Sequence, residues 1–247
     1  MIFRLFLSLF LSLVILSVTA SGQVGSVRAI AFDYSEMYES LNPSIVKIYA
    51  DGRTGSGFLV SADGLIATNH HVVKNARLLA VQFADGRKVL ATIVVLNPRY
   101  DLALLKVNAS LVTSLRPLPL LAQEDDQKVK AGVPVVAFGS PLSQTFLITQ
   151  GIISKVEERY LIGDFVIEGG NSGGPLLNMN GEIVGINTFG IQNLSGAVRV
   201  HLLRAMLESP NLEASLPDDP PSELLPTVSR SYPTALLKEK ILGKKLT

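Results

Sequence analysis

The sequence has no cysteine in its 247 residues, which excludes disulfides, thiol nucleophiles and thiolate metal sites. Histidine is scarce too. There are three, His70, His71 and His201, and two of these are adjacent, too few for a structural zinc site of the usual kind. Neither sign of charge is in excess: 22 Lys and Arg stand against 21 Asp and Glu, a formal charge of +1. Nothing in that balance calls for nucleic acid or an acidic surface as a partner. Long apolar runs are absent after residue 18, so no second membrane span is expected.

What is there begins with a leader. Residues 1–20 combine a single Arg4, an apolar run over 5–18, and Val18-Thr19-Ala20 ahead of Ser21, the grammar of a secretory signal peptide with a small-residue cleavage site. The competing reading is an uncleaved anchor, for which 14 apolar-rich positions are short of the roughly 20 a span needs. An exported chain without disulfides must be held by its core. That suits a bacterial periplasm or cell envelope better than a disulfide-dense secretome. Removing the leader leaves about 225 residues, enough for one large or two small β domains.

Short runs rich in Val, Ile, Leu and Phe then recur: 44–50, 57–60, 65–68, 78–83, 89–96 and 102–107, followed by 133–138, 146–156, 160–167, 175–178 and 183–188. Between them lie Asp51-Gly52, Asp63-Gly64, Asp85-Gly86 and Asn180-Gly181, dipeptides that tolerate the positive φ of tight hairpins. The pattern predicts an all-β, antiparallel protein built as barrels or a sandwich. Residues 115–130 hold Pro117, Pro119 and an acidic Glu124-Asp125-Asp126 stretch, and read as a connector between two halves. The expected divisions are an N-terminal segment over 21–40, a first barrel over 41–120, a second over 121–208, and a Pro-rich tail over 209–247. Short helices are expected at 35–41 and 200–207. Six prolines after Ser209 cannot supply ladder donors, so the tail is a linker or arm. Its end, 235–242, alternates Leu and Ile with Lys; a loose tail and a helix touching a membrane or partner are both open.

The chemistry concentrates in Gly170-Asn171-Ser172-Gly173-Gly174. Serine is a weak nucleophile that needs a base for its proton and donors for the oxyanion, and glycine lets backbone N–H groups reach a substrate carbonyl. The bland reading is a tight turn between strands. A base and an acid are present, however: His71 follows the strand at 65–68, and Asp101 stands just before the apolar strand at 102–107. Each has its own structural reading, as a half-buried histidine and as strand-end punctuation. The order His, Asp, Ser in an all-β chain is that of the chymotrypsin-type triad, and the three signals together favour an active site.

Thr54-Gly55-Ser56-Gly57-Phe58 with 63–73, Asp101-Leu102-Ala103-Leu104-Leu105-Lys106, Thr149-Gln150-Gly151-Ile152-Ile153-Ser154, 164–177 and Gly185-Ile186-Asn187-Thr188 resemble the HtrA (DegP/Deg) serine proteases. The likeness runs from about residue 35 to 207. It implies a chymotrypsin/trypsin-like double β-barrel with the active site in the cleft between barrels. It also implies Ser172 as nucleophile, His71 as general base and acid, Asp101 as orienting carboxylate, and an oxyanion hole at Gly170, Asn171 and Ser172. Thr188, Phe189 and Gly190 would pair with an extended substrate as an added strand. Val166, six before the serine, would lie at the base of the S1 pocket. With no acid there, small or medium apolar P1 residues such as Val, Ala or Leu are expected, since a buried P1 cation would lack a counter-ion.

The chain also departs from the family pattern. Family members usually continue into PDZ domains, and this sequence reads as a protease domain alone. Gly169 and Glu168 replace an expected Pro and Asn, which raises the question of whether the oxyanion hole is formed at rest. Asn171 carries no charge for a newly cut N-terminus, which argues against zymogen activation of that type. Trimerisation through the segment bearing Phe32, Tyr34 and Tyr38 is a further implication of the resemblance. No metal or organic cofactor is required. Two functions therefore stand: an exported endopeptidase acting on unfolded or extended polypeptide, and a binding or chaperone-like protein on a protease scaffold with little or no turnover.

Overall fold

The computed structural model describes residues 33–140, 146–191 and 193–208. The predicted leader, residues 21–32 with Phe32, and the Pro-rich tail lie outside the described residues.

Seven strands form the first sheet: β1 (Ile45–Ala50), β2 (Arg53–Leu59), β3 (Leu65–Thr68), β4 (Leu79–Gln82), β5 (Lys88–Leu90), β6 (Thr92–Asn97) and β7 (Leu102–Lys106). Their order is β5-β4-β1-β2-β3-β7-β6, with every neighbouring pair antiparallel. The two edges, β5 and β6, are consecutive in sequence and separated only by Ala91. The sheet must therefore curl until its edges meet, closing through the chain rather than through a lateral ladder. Sequence reading gave one strand over 89–96; the structure breaks it at Ala91, whose N–H turns to the Leu79 carbonyl at 3.0 Å. The turn at Asp51-Gly52 has φ of 47° and 81°, and Ala50 pairs with Arg53 across it, as the dipeptide predicts.

The second half is a closed barrel in the order β10-β13-β12-β11-β8-β9. Its strands are β8 (Pro134–Gly139), β9 (Leu147–Val156), β10 (Tyr160–Gly163), β11 (Pro175–Leu177), β12 (Ile183–Ile191) and β13 (Leu194–Arg199). The expected strand 160–167 stops at Gly163, where the ladder to β9 shifts register. There the Asp164 carboxylate accepts the Ile152 N–H at 2.7 Å, and the chain leaves the sheet toward the serine loop.

Each half buries its own apolar centre, Val46, Ile48, Leu59, Ile66, Val81 and Leu105 in the first and Phe138, Ile153, Leu161, Phe165 and Leu176 in the second. Helix α1 (Ser35–Leu41) precedes β1, α2 (His70–Val73) follows β3, and α3 (Val200–Glu208) follows β13. In α3 the apolar spacing buries Val200, Leu202, Leu203 and Met206. Tyr38 of α1 stacks on Phe138 at 5.8 Å between ring centroids and donates to the Phe146 carbonyl at 3.1 Å. In the connector, residues 119–121 lie along β12: Ile183 N–H donates to Pro119 O and Leu121 N–H to Ile183 O. Among the described residues no helix is long and apolar enough to cross a membrane.

Candidate active site

The site forms where β2, α2 and the lead into β7 face the loop between β10 and β11. His71 sits on the single turn of α2. Arg53 fixes that turn from below, its guanidinium donating to the His71 carbonyl at 3.3 Å and the Lys74 carbonyl at 2.7 Å. Asp101 adopts φ 55°, a left-handed conformation that Asp tolerates better than branched residues do. The Asn97 side chain braces the lead into it, with Tyr100 N–H donating to Asn97 Oδ1 at 3.1 Å. In this posture both carboxylate oxygens meet His71: Oδ2 lies 2.7 Å from Nδ1, and Oδ1 accepts the main-chain N–H at 2.9 Å. An ionised carboxylate only accepts, so Nδ1 carries the proton and Nε2 is left with the basic lone pair. The pair is partly covered, with side chains 23% and 14% exposed.

The Asp101 carbonyl is held as firmly. It accepts the His70 N–H at 3.1 Å and the Asn69 amide at 2.9 Å. The same Asn69 amide nitrogen donates to Thr188 Oγ1 at 3.0 Å, linking the acid to β12. His70 is the neighbour and not part of the pair; burial holds its imidazole below the ordinary value of 6.5, against the pull of Asp101.

The serine loop consists of two turns back to back. Asn171 N–H donates to Glu168 O at 3.0 Å with Gly170 at φ 104°, and Gly174 N–H donates to Asn171 O at 3.0 Å with Gly173 at φ 88°. A positive φ at the third position is the type II form, and glycine is what makes it inexpensive at both places. A side chain at Gly173 would also collide with Ser56 O and Thr68 Oγ1. Ser172 is the second residue of the latter turn, and its hydroxyl donates to the Thr188 carbonyl at 3.2 Å. Among the described residues, neither Gly170 N–H nor Ser172 N–H donates to a protein acceptor.

Beyond the serine, β11 pairs with β12 only as far as Ile186, while β12 runs on to Ile191. The Thr188–Gly190 edge therefore has no described strand on the β11 side. Phe189 is buried and meets Tyr160 edge-on at 5.8 Å; burial pushes the Tyr160 phenol up to about 12. Val166 is 49% exposed, whereas Ile167, at 9%, is the residue packed beside Gly190. A side chain on Gly190 would collide with the Ile167 carbonyl, and Ile167 N–H donates to Ser195 Oγ at 3.2 Å. Sequence counting backwards from the serine gave Val166; the residue whose backbone packs beside Gly190 is the next one, Ile167. Sequence reading likewise gave no role to Asn69, although its place directly before the two histidines was a usable signal.

Residues 55–186, more than half of the chain, match the family model described as "Trypsin-like peptidase domain". A "Probable periplasmic serine endoprotease DegP-like" of Pseudomonas fluorescens is 43% identical over 142 residues, 54% of this chain and 29% of that protein. "Serine protease HTRA1" of Xenopus laevis is 38% identical over 176 residues, 66% of this chain and 37% of that protein. The chain thus spans about a third of the length of these curated relatives. Among solved structures, the serine endoprotease from Yersinia pestis superimposes with TM-score 0.66 at 32% identity, covering 72% of this chain and 66% of that one. The HtrA-type protease AlgW with tripeptide gives 0.64 at 28%, covering 72% and 64%. The chain belongs to the trypsin-like peptidase domain family, and its likeness within that family is to the HtrA and DegP-like endoproteases.

Proposed function

We propose that this chain is a serine endopeptidase that cleaves extended or unfolded polypeptide with Ser172, His71 and Asp101. The observation that carries this reading is the double grip of Asp101 on His71, which leaves Nε2 with the basic lone pair a serine needs. For attack, the Ser172 hydroxyl has to leave the Thr188 carbonyl and give its proton to His71 Nε2. Oγ then adds to the scissile carbonyl carbon as its proton passes to His71. The oxyanion is received by the N–H groups of Gly170 and Ser172, with Asn171 setting the spacing between them. As the C–N bond breaks, His71 returns the proton to the leaving amine, and an acyl-Ser172 ester remains. Water, deprotonated by His71, hydrolyses that ester.

The Thr188–Gly190 stretch of β12, which runs on past its ladder with β11, supports substrate binding as an added strand. Val166, with Ile167 beside it against Gly190, supplies an apolar P1 pocket without a counter-ion, so P1 is small or medium and apolar. The DegP-like relative described as periplasmic, together with the apolar leader, supports export to a bacterial periplasm or envelope.

The Ser172 hydroxyl rests on the Thr188 carbonyl, and a second reading, a binding protein with little turnover, is tested beside the first. Fluorophosphonate labelling of the wild type beside Ser172→Ala separates the two. Ser172-dependent labelling with peptide cleavage is expected, and a folded wild type that never labels would remove the enzyme reading.

A further inference from the structure

Ser56 lies in β2, fully buried, and every polar group it owns is committed. Its N–H donates to the Ser172 carbonyl at 2.8 Å, and its own carbonyl accepts the Thr68 hydroxyl at 2.7 Å. Its side-chain oxygen lies 2.6 Å from the Gly170 carbonyl and 2.8 Å from the Ser140 N–H. An amide N–H can only donate and a carbonyl can only accept, so the hydroxyl accepts from Ser140 and donates to Gly170. Three of the four bonds cross from the first sheet to the second half of the molecule.

One of them bears on the chemistry. The Gly170 carbonyl and the Asn171 N–H belong to a single peptide unit, flanked by the Gly170 N–H on one side and the Ser172 N–H on the other. Ser56 holds the oxygen end of that unit, and the Glu168 carbonyl holds the hydrogen end at 3.0 Å. The dihedrals on either side of this plane set where the two neighbouring N–H groups aim. The surrounding backbone cannot do so by itself, because glycines at 169, 170, 173 and 174 leave it free to adopt many conformations. The geometry points to the Ser56 hydroxyl as a positioning residue for the oxyanion hole. Through it the first sheet pins the peptide plane from which both donors hang.

This inference rests on the proposed protease reading. Its test uses Ser56→Ala in the full chain, with active sites counted by stoichiometric fluorophosphonate titration so that only folded molecules enter the rates. The expected result is a loss of about 10- to 100-fold in kcat per titrated site, with KM within about twofold of wild type, as for an interaction made in the transition state. Binding of a peptide boronate, which places an oxygen in the hole, should weaken by a similar factor, while binding of the corresponding non-covalent peptide should not. Because an alanine could also loosen the core, Ser56→Thr and Ser56→Val form a second pair of nearly equal volume, with and without the hydroxyl. Thr should retain more activity per site than Val. Equal kcat per site in Ala and wild type, or in Thr and Val, overturns the inference while leaving the protease reading intact. Absence of labelling in the wild type instead removes the protease reading beneath it.

Discussion

At the scale of single residues, the left-handed backbone of Asp101 matters because it presents two oxygens to one histidine, fixing both the ring and the helical turn that carries it. Asp101→Asn is expected to keep the fold and lower kcat by about 10³- to 10⁴-fold, since an amide donor facing Nδ1 favours the wrong tautomer. Steady-state kinetics with KM measured separately checks this, and a loss under tenfold would contradict an orienting role. Asn69→Ala removes the shared donor to Asp101 O and Thr188 Oγ1 at a fully buried position. Leaving two buried acceptors short should cost about 1–3 kcal/mol in urea unfolding.

At the scale of elements, α1 and β8 belong together although about a hundred residues separate them. Tyr38 stacks on Phe138 and reaches the Phe146 carbonyl, so this aromatic is engaged within the chain. Tyr38→Phe keeps the ring and should cost about 1 kcal/mol, the ordinary net worth of one hydrogen bond. Phe138→Ala empties a fully buried site and should cost about 3–5 kcal/mol. The two measured side by side in denaturant separate polar tethering from packing; equal costs would mean that the stacking contributes nothing.

For the molecule as a whole, acid sensitivity follows from its histidines. Burial holds His70 and His201 below the ordinary imidazole value of 6.5, His201 with added repulsion from Arg199. The unfolded chain therefore binds protons first as pH falls, and the stability these groups contribute near neutrality is lost on acidification below about 6.5. Tyr160, raised to about 12, works at the other end: the folded state keeps its proton longer, so stability declines as pH rises above 10. Thermal melts between pH 4.5 and 7.5 should show Tm falling toward acid, with a shallower slope in His201→Gln. An unchanged slope would mean that His201 is not a source. The all-β class, the hairpin dipeptides at 51–52 and 180–181, and the candidate serine, histidine and aspartate could be named from the sequence because each depends on local backbone preference or on residue chemistry. Three-dimensional contact decided the rest: the break at Ala91 that lets the first sheet close on itself, the choice of Ile167 over Val166 beside Gly190, and the type II form of the glycine loop. Each of these depends on which distant backbone groups come within bonding reach, such as Leu79 O, Gly190 and Ser56 Oγ, and pairings of that kind exist only once the chain is packed.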